Sequence, residues 1–183
     1  MGANTNLAMW MRLTPLLAGL IAAAITDILW RRIPNWLTLS LMISGLAWSA
    51  WMHGASGLGN SAAGLFVGGA MGFALFAISA LGGGDVKLLA GIGAWLGPKG
   101  VFLIFIAEAV VGLVIVLVQA TAQGRVRTLF RNSALIAAGF AYASETGLEH
   151  AVESGRSMKS VSRPLPYAVP TLVATVLVLA FCT

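Results

Sequence analysis

The chain is dominated by apolar stretches long enough to cross a lipid bilayer. Of its 183 residues, 58% are hydrophobic and 9% are charged, which is not the balance of a soluble globular domain. A membrane-spanning helix needs about 20 apolar residues for a hydrocarbon core about 30 Å thick. The pattern predicts an all-α, polytopic membrane helix bundle of about six transmembrane helices: Leu13–Leu29, Trp36–Trp51, Ala62–Leu81, Leu88–Leu96, Val101–Thr121 and Pro166–Phe181.

Two of these segments have alternative interpretations. Leu88–Leu96 is too short to cross a bilayer alone and is followed by Gly97-Pro98, so we expect a short or broken fourth helix. Leu13–Ile21, followed by small residues, could instead be the apolar part of a signal peptide. We prefer a retained span, because only Arg12 is basic before it and five further segments are apolar.

The basic residues favour one orientation, because cytoplasmic loops of membrane proteins collect Lys and Arg. With both termini outside the cytoplasm, only Arg12 and Lys99 lie on the outer side. The cytoplasmic side then holds the others: Arg31, Arg32, Lys87, Arg125, Arg127, Arg131, Arg156, Lys159 and Arg163. The net charge of +5 is therefore interpreted as a topology signal, and no nucleic-acid partner is expected.

Several classes of hydrolytic site lack their residues. The single cysteine, Cys182, excludes an intramolecular disulfide and a cysteine-based zinc site. His53 and His150 are far apart, with no HExxH spacing, and no GxSxG motif occurs. We expect no metal and no cofactor.

Two aspartates are predicted to share one membrane boundary. Asp27 ends the first apolar segment and Asp85 follows the third, which places both at the cytoplasmic face. Either residue alone could be solvated or paired with a basic neighbour, Asp27 with Arg31 or Asp85 with Lys87. Two carboxylates in one partly dry site do not both ionise readily, so together they supply an acid and a base. Such a pair can hydrolyse an amide without a covalent intermediate.

Glu108 is a third acidic residue, and it lies inside the fifth apolar segment. A charge there costs at least about 2.5 kcal/mol. We expect a neutral, hydrogen-bonded side chain, with a functional role left open.

Two groups of glycines are expected to shape the third and fourth apolar segments. One group, Gly82, Gly83 and Gly84, is expected to break the helix before Asp85. The exposed backbone groups could then pair with an extended peptide added as a strand. A plain flexible turn is the alternative. The face formed by Gly64, Gly68 and Gly72 predicts close approach of another helix.

Two motifs together carry a resemblance to a known family. TDILWRRIPN at 26–35 and GGGDVKLL at 82–89 resemble the prepilin peptidases, which are GxGD-type intramembrane aspartyl proteases of the type IV leader peptidase family. The chain is most similar to the small forms that serve Flp-type (tight adherence) pili. Gly82, Gly84 and Asp85 match GxGD, and Asp27 with Ile33-Pro34-Asn35 matches the first motif. The resemblance extends to PLPYAVP at 164–170.

The resemblance implies an aspartic endopeptidase of the bacterial inner membrane with Asp27 and Asp85 as its catalytic pair. It would remove a short basic leader from prepilins or pseudopilins at the cytoplasmic face, just after a glycine. Prepilin substrates and membrane lipid are the expected partners. Larger family members add a cysteine-tetrad domain and a methyltransferase activity. Without those cysteines in this sequence, we expect peptidase activity only.

Smaller parts of the two motifs have expected roles in shaping the site. Ile33 and Pro34 should form a short turn, because proline restricts the residue before it, and Asn35 should cap the second helix. Lys87 either acts on an aspartate through its charge or anchors the chain at the interface.

We expect one membrane-embedded domain over residues 1–183. Its 123–163 segment is predicted to be a cytoplasmic loop with an interfacial helix formed by RTLFRNSALIAAGFAYA. Elsewhere in this loop, Glu145, Glu149 and Glu153 recur at four-residue spacing and are predicted to form one solvated helix face. The rival interpretations of the chain are a small transporter or channel that uses its intramembrane acids, and a membrane scaffold without catalysis.

Overall fold

The computed structural model describes residues 2–78, 81–124, 131 and 167–182, with the side chains of those between 13 and 181. The helices are α1 (Gly2–Trp30), α2 (Asn35–Ala77), α3 (Gly83–Ala122) and α4 (Ala168–Cys182). Within the described residues, three helices are long and apolar enough to cross a membrane, and Ala168–Phe181 is a shorter apolar helix. This agrees with the predicted all-α membrane bundle, while the count of six crossings stays a prediction.

Two of the helices are interrupted by a glycine with a positive φ. A straight helix of 43 residues, the length of α2, would measure about 65 Å, roughly twice the hydrocarbon core. In α2, Gly54 has φ 61° and ψ −146°, and in α3, Gly97 has φ 76° and ψ 178°. A side chain would be strained at both positions. Pro98, after Gly97, also lacks the N–H that would continue the helix.

Close contacts show that α2 folds back on itself at Gly54. A Cβ placed on Gly57 would collide with the carbonyl oxygen of Ser49 and with the Cβ of His53. Ser49 and Gly57 would be two turns apart in an uninterrupted helix, too far for such contact. The two parts of α2 therefore run in opposite directions.

The glycine face of α2 packs directly on α3. A Cβ on Gly64 would collide with the Gly93 carbonyl, and one on Gly68 with the Leu89 carbonyl. One on Gly72 would lie 3.0 Å from the Val86 Cα. Residue numbers rise along one helix as they fall along the other, so the segments are antiparallel. The predicted close helix contact is confirmed, and it fixes the first turn of α3, which contains Asp85.

Polar groups inside this bundle are bonded between helices. The Ser61 hydroxyl donates to the carbonyl of Ala94 at 2.5 Å. The Trp95 indole, which is 2% exposed, donates to the carbonyl of Leu41 at 2.9 Å, and its ring stacks on Trp48. Since lipid offers no hydrogen bonds, such contacts fix the relative position of α2 and α3.

The chain divides into two compact units. Met1–Ala109 with Pro166–Thr183 forms one, and Val110–Leu165 forms the other. All residues of the candidate site belong to the first unit. Most of the predicted loop at 123–163 lies outside the described residues, so that loop, its interfacial helix and the single-domain organisation stay predictions.

Candidate active site

Asp27 lies in the last turn of α1, where the chain leaves the helix. The N–H of Arg31 closes this turn by donating to the Asp27 carbonyl at 2.9 Å. Arg31 itself has φ 50°, a left-handed conformation that ends the helix. The Asp27 side chain is only 8% exposed, and a buried carboxylate needs hydrogen-bond donors.

The donor to Asp27 comes from the start of another helix. The backbone N–H of Ala168, the first residue of α4, donates to Asp27 Oδ2 at 3.1 Å. The first N–H groups of a helix have no partner within that helix, so this one is free to bond the carboxylate. Asp27 is thereby fixed between the end of α1 and the start of α4.

Asp85 lies in the first turn of α3 and bonds back to the glycine before it. The N–H of Gly82 donates to Asp85 Oδ2 at 3.2 Å, and the N–H of Asp85 donates to the Gly82 carbonyl at 3.1 Å. An acidic side chain in the first turn that accepts from the N–H preceding the helix is one half of a capping box. A Cβ on Gly82 would lie 2.9 Å from Asp85 Oδ2, so a side chain there would disturb the carboxylate.

The expectation that all three glycines break the helix is wrong for two of them. Gly83 and Gly84 are helical, and only Gly82 lies outside α3. Gly84 instead permits a close approach, because a Cβ there would lie 3.2 Å from the Cβ of Ile33. Gly83 has no such contact nearer than 3.8 Å. Ile33 of the first motif thus packs on Gly84 of the second.

The expected cap by Asn35 is also wrong. The residue that caps α2 is Pro34, at φ −62° and ψ 135°, and no side chain bonds the free N–H groups there. The Pro34 carbonyl accepts from the N–H groups of Leu37 and Thr38. Asn35 Oδ1 accepts instead from the Nζ of Lys87 at 2.8 Å. This contact with a distant lysine takes the place of the local cap.

Both aspartates line one cavity. Its volume is about 640 Å³, and its walls are residues 27, 30–35 and 82–85. Asp27 and Asp85 are close enough to interact electrostatically. Of the site residues predicted from the sequence, all but Lys87 line this cavity: Asp27, Asp85, Ile33, Pro34, Asn35, Gly82, Gly83 and Gly84. Lys87 reaches it through Asn35.

Sequence reasoning missed the part that α4 plays. Ala168 was not singled out, since every residue except proline offers a backbone N–H, and only the PLPYAVP stretch that contains it pointed to this region. Glu108 is 1% exposed, and its Oε1 accepts from the hydroxyl of Thr171 in α4, which confirms the expected hydrogen bond. Its Oε2 is buried without a hydrogen-bond partner among the described residues.

The arrangement combines two carboxylates, a half-open cavity and nearby backbone groups. A carboxyl pair of this kind can activate a water and protonate a leaving group. Within the described residues, no group of three or more His, Cys, Asp or Glu side chains is placed to hold a metal ion.

Comparison with known proteins assigns the chain to a family. The model of the type IV leader peptidase family matches residues 15–117, which is more than half of the chain and includes both aspartates. Two curated relatives from Burkholderia pseudomallei, strains 1026b and K96243, are each called "Prepilin leader peptidase/N-methyltransferase". Each is 38% identical over 122 residues, a match that covers 61% of this chain and 38% of the relative.

The chain thus matches well under half of the length of these relatives. No solved structure matches it. On the strength of the family match, this chain belongs to the type IV leader peptidase family.

Proposed function

We propose that this protein is an intramembrane aspartic endopeptidase that removes the leader peptide from prepilins, with Asp27 and Asp85 as its catalytic pair. The observation that carries the proposal is that both side chains line the same cavity of about 640 Å³, within the region matched by the family. The matching relatives are named as prepilin leader peptidases, which supports a prepilin as substrate.

In the proposed reaction, the ionised carboxyl of the pair takes a proton from a water molecule as the water attacks the scissile carbonyl. The protonated carboxyl donates a hydrogen bond to the carbonyl oxygen. Collapse of the tetrahedral intermediate breaks the C–N bond, and a carboxyl gives its proton to the leaving amine. The products are a free leader carboxylate and a new pilin N-terminus, with no covalent enzyme intermediate.

The cavity walls suit an extended peptide. Gly82 and Gly83 are exposed, and neither adds a side chain to the wall. A glycine before the cleavage point would fit beside them without a steric clash. Arg31 and Arg32 are exposed at the same cavity, where they suit anionic lipid headgroups.

We place the reaction at the cytoplasmic face of the bacterial inner membrane, with both termini outside the cytoplasm. The basic residues support this orientation. The substrates are proposed to be Flp-type prepilins or pseudopilins, on the resemblance of the two motifs. The N-methyltransferase activity in the relatives' name is not carried over to this chain.

The test is leader removal in cells that co-express the protein with a Flp-type prepilin from the same genome. Wild type is compared with Asp27→Asn and Asp85→Asn at matched membrane levels, by gel shift and by mass spectrometry of the pilin N-terminus. Glu145→Gln is the control, since it removes a carboxylate outside both motifs. We expect cleavage by wild type and the control, and none by either aspartate variant, because groups that act as one unit fail together.

Cleavage that survives one aspartate substitution would remove that residue from the proposed chemistry. Uncleaved prepilin with wild type, across several prepilins, would contradict the peptidase proposal. Ion or solute flux by purified wild-type protein in liposomes would then support the transporter alternative.

A further inference from the structure

A chain of buried contacts leads from Glu108 to Asp27 through the first turn of α4. Glu108 belongs to the part of α3 after Gly97 and is 1% exposed. Its Oε1 accepts from the hydroxyl of Thr171, which is also 1% exposed. Neither residue lines the cavity that holds the two aspartates.

Thr171 connects Glu108 to the start of its own helix. Its Oγ1 is 3.0 Å from the carbonyl oxygen of Tyr167, and its N–H donates to the same oxygen at 3.3 Å. The hydroxyl therefore contacts both the Glu108 carboxyl and the backbone at the beginning of α4. Ala168, the next residue after Tyr167, is fully buried and donates its N–H to Asp27 Oδ2. One helical turn separates the Glu108 contact from the Asp27 contact.

Thr175, one turn further along α4, shows that this contact is not a general property of buried threonines. Thr175 is also fully buried, and its hydroxyl donates to the carbonyl of Thr171 within the same helix, at 2.8 Å. Such bonding back to the preceding turn is the usual arrangement for a helical threonine. Of the two threonines, only Thr171 contacts a carboxyl on another helix.

A glutamate at this depth is costly to maintain, so packing alone is a poor explanation for it. Buried acids in membrane segments usually serve a function. Leucine would fill a similar space and would leave no oxygen unpaired. Glu108, in contrast, leaves its Oε2 without a hydrogen-bond partner among the described residues.

We propose that Glu108 is a positioning residue for the aspartate pair. Through Thr171 it holds the first turn of α4 in place, so that the Ala168 N–H stays on Asp27 Oδ2 and keeps that carboxyl oriented at the cavity. This inference rests on the proposed peptidase function. Small displacements of a reacting group can cost up to about 100-fold in rate, so the expected effect is on kcat and not on substrate binding.

The test measures kcat and KM with purified protein and purified prepilin, using variants of equal thermal midpoint in detergent. We expect Thr171→Val to lower kcat about tenfold or more, with KM within about twofold of wild type. Thr171→Ser, which keeps the hydroxyl, should restore kcat to within about threefold. Thr175→Val is the matched control and should stay within about twofold, since among the described residues its hydroxyl bonds its own helix and not a carboxyl.

Glu108 is tested separately, so that the proposal can still be checked if Thr171→Val fails to fold. Glu108→Gln keeps an acceptor oxygen and should stay within about threefold of wild type, whereas Glu108→Leu should lose about tenfold or more in kcat. Wild-type kcat in Thr171→Val or Glu108→Leu would overturn the inference. So would an equal loss in Thr175→Val, or a loss in Glu108→Gln as large as in Glu108→Leu.

The two proposals fail in different ways. If Asp27→Asn is inactive but Thr171→Val and Glu108→Leu are fully active, the positioning role alone is wrong. If wild type does not cleave, the peptidase proposal itself is wrong, and if Asp27→Asn cleaves normally, Asp27 is not a member of the catalytic pair.

Discussion

Lys87 Nζ in α3 donates a hydrogen bond to Asn35 Oδ1 at the start of α2, over 2.8 Å. This contact joins the second aspartate motif to the first. A second contact between them is the packing of Ile33 on Gly84. Each motif carries one aspartate, so these two contacts determine how the walls of the cavity meet.

The first prediction concerns the Lys87 to Asn35 hydrogen bond. Lys87→Met and Asn35→Ala should each lower kcat/KM by about two- to tenfold, the range for loss of one hydrogen bond. The double variant should be no worse than the poorer single variant, because both remove the same contact. The measurement is a double-mutant cycle on prepilin cleavage. Losses that multiply would show that the residues act independently.

The second prediction concerns the glycines before Asp85. Gly83→Ala should lose less cleavage than the variants of either neighbouring glycine, since within the protein its Cβ would meet only the Phe76 ring at 3.8 Å. Gly84→Ala should reduce cleavage by pushing on Ile33, and Gly82→Ala by pushing on the Asp85 carboxylate. Alanine is a better helix former than glycine, so a loss cannot be assigned to helix propensity within α3.

Cleavage rates of the three alanine variants at equal membrane levels check this order. Equal activity of all three would show that the contacts at Gly82 and Gly84 relax without consequence. An inactive Gly83→Ala would point to a need for glycine flexibility instead of space, and would contradict the steric argument.

The sequence was sufficient to predict that Asp27 and Asp85 share one site, because the apolar segments and the distribution of Lys and Arg placed both at one predicted membrane boundary. The Gly64, Gly68 and Gly72 face also predicted its helix contact correctly. Asn35 was assigned wrongly because a local cap and a distant lysine compete for the same side-chain oxygen, and only the fold decides between them. The Ala168 donor was missed because backbone donors leave no signal in the side-chain pattern.

The third prediction isolates the Ala168 N–H. Ala168→Pro removes the donor to Asp27 Oδ2, yet proline is well tolerated at the first position of a helix. Cleavage should fall by about two- to tenfold, as expected for one hydrogen bond. Ala168→Val retains the N–H and adds comparable volume at this fully buried position, so it controls for crowding. Equal rates for the proline and valine variants would show that volume, and not the hydrogen bond, matters here.

The fourth prediction concerns the contact between α2 and α3 that holds Asp85 in place. Gly64→Ala should destabilise the protein by about 1–3 kcal/mol, because the new methyl group would collide with the backbone of Gly93 and Gly97, which cannot swing aside. Gly69→Ala is the matched control in the same helical segment, since its Cβ would lie 3.7 Å from the Ala90 Cβ, an ordinary contact.

Thermal unfolding in detergent measures the difference, and a lower midpoint is expected for Gly64→Ala alone. If that variant still folds at low temperature, its cleavage rate should also fall, because a shift of α3 moves its first turn, which carries Asp85. The glycine face continues to Gly72, which packs on Val86 beside that aspartate. Destabilisation without any loss of cleavage would separate the effect on stability from the effect on activity. It would show that the first turn of α3 is held by the Ile33 and Asn35 contacts and not by the glycine face.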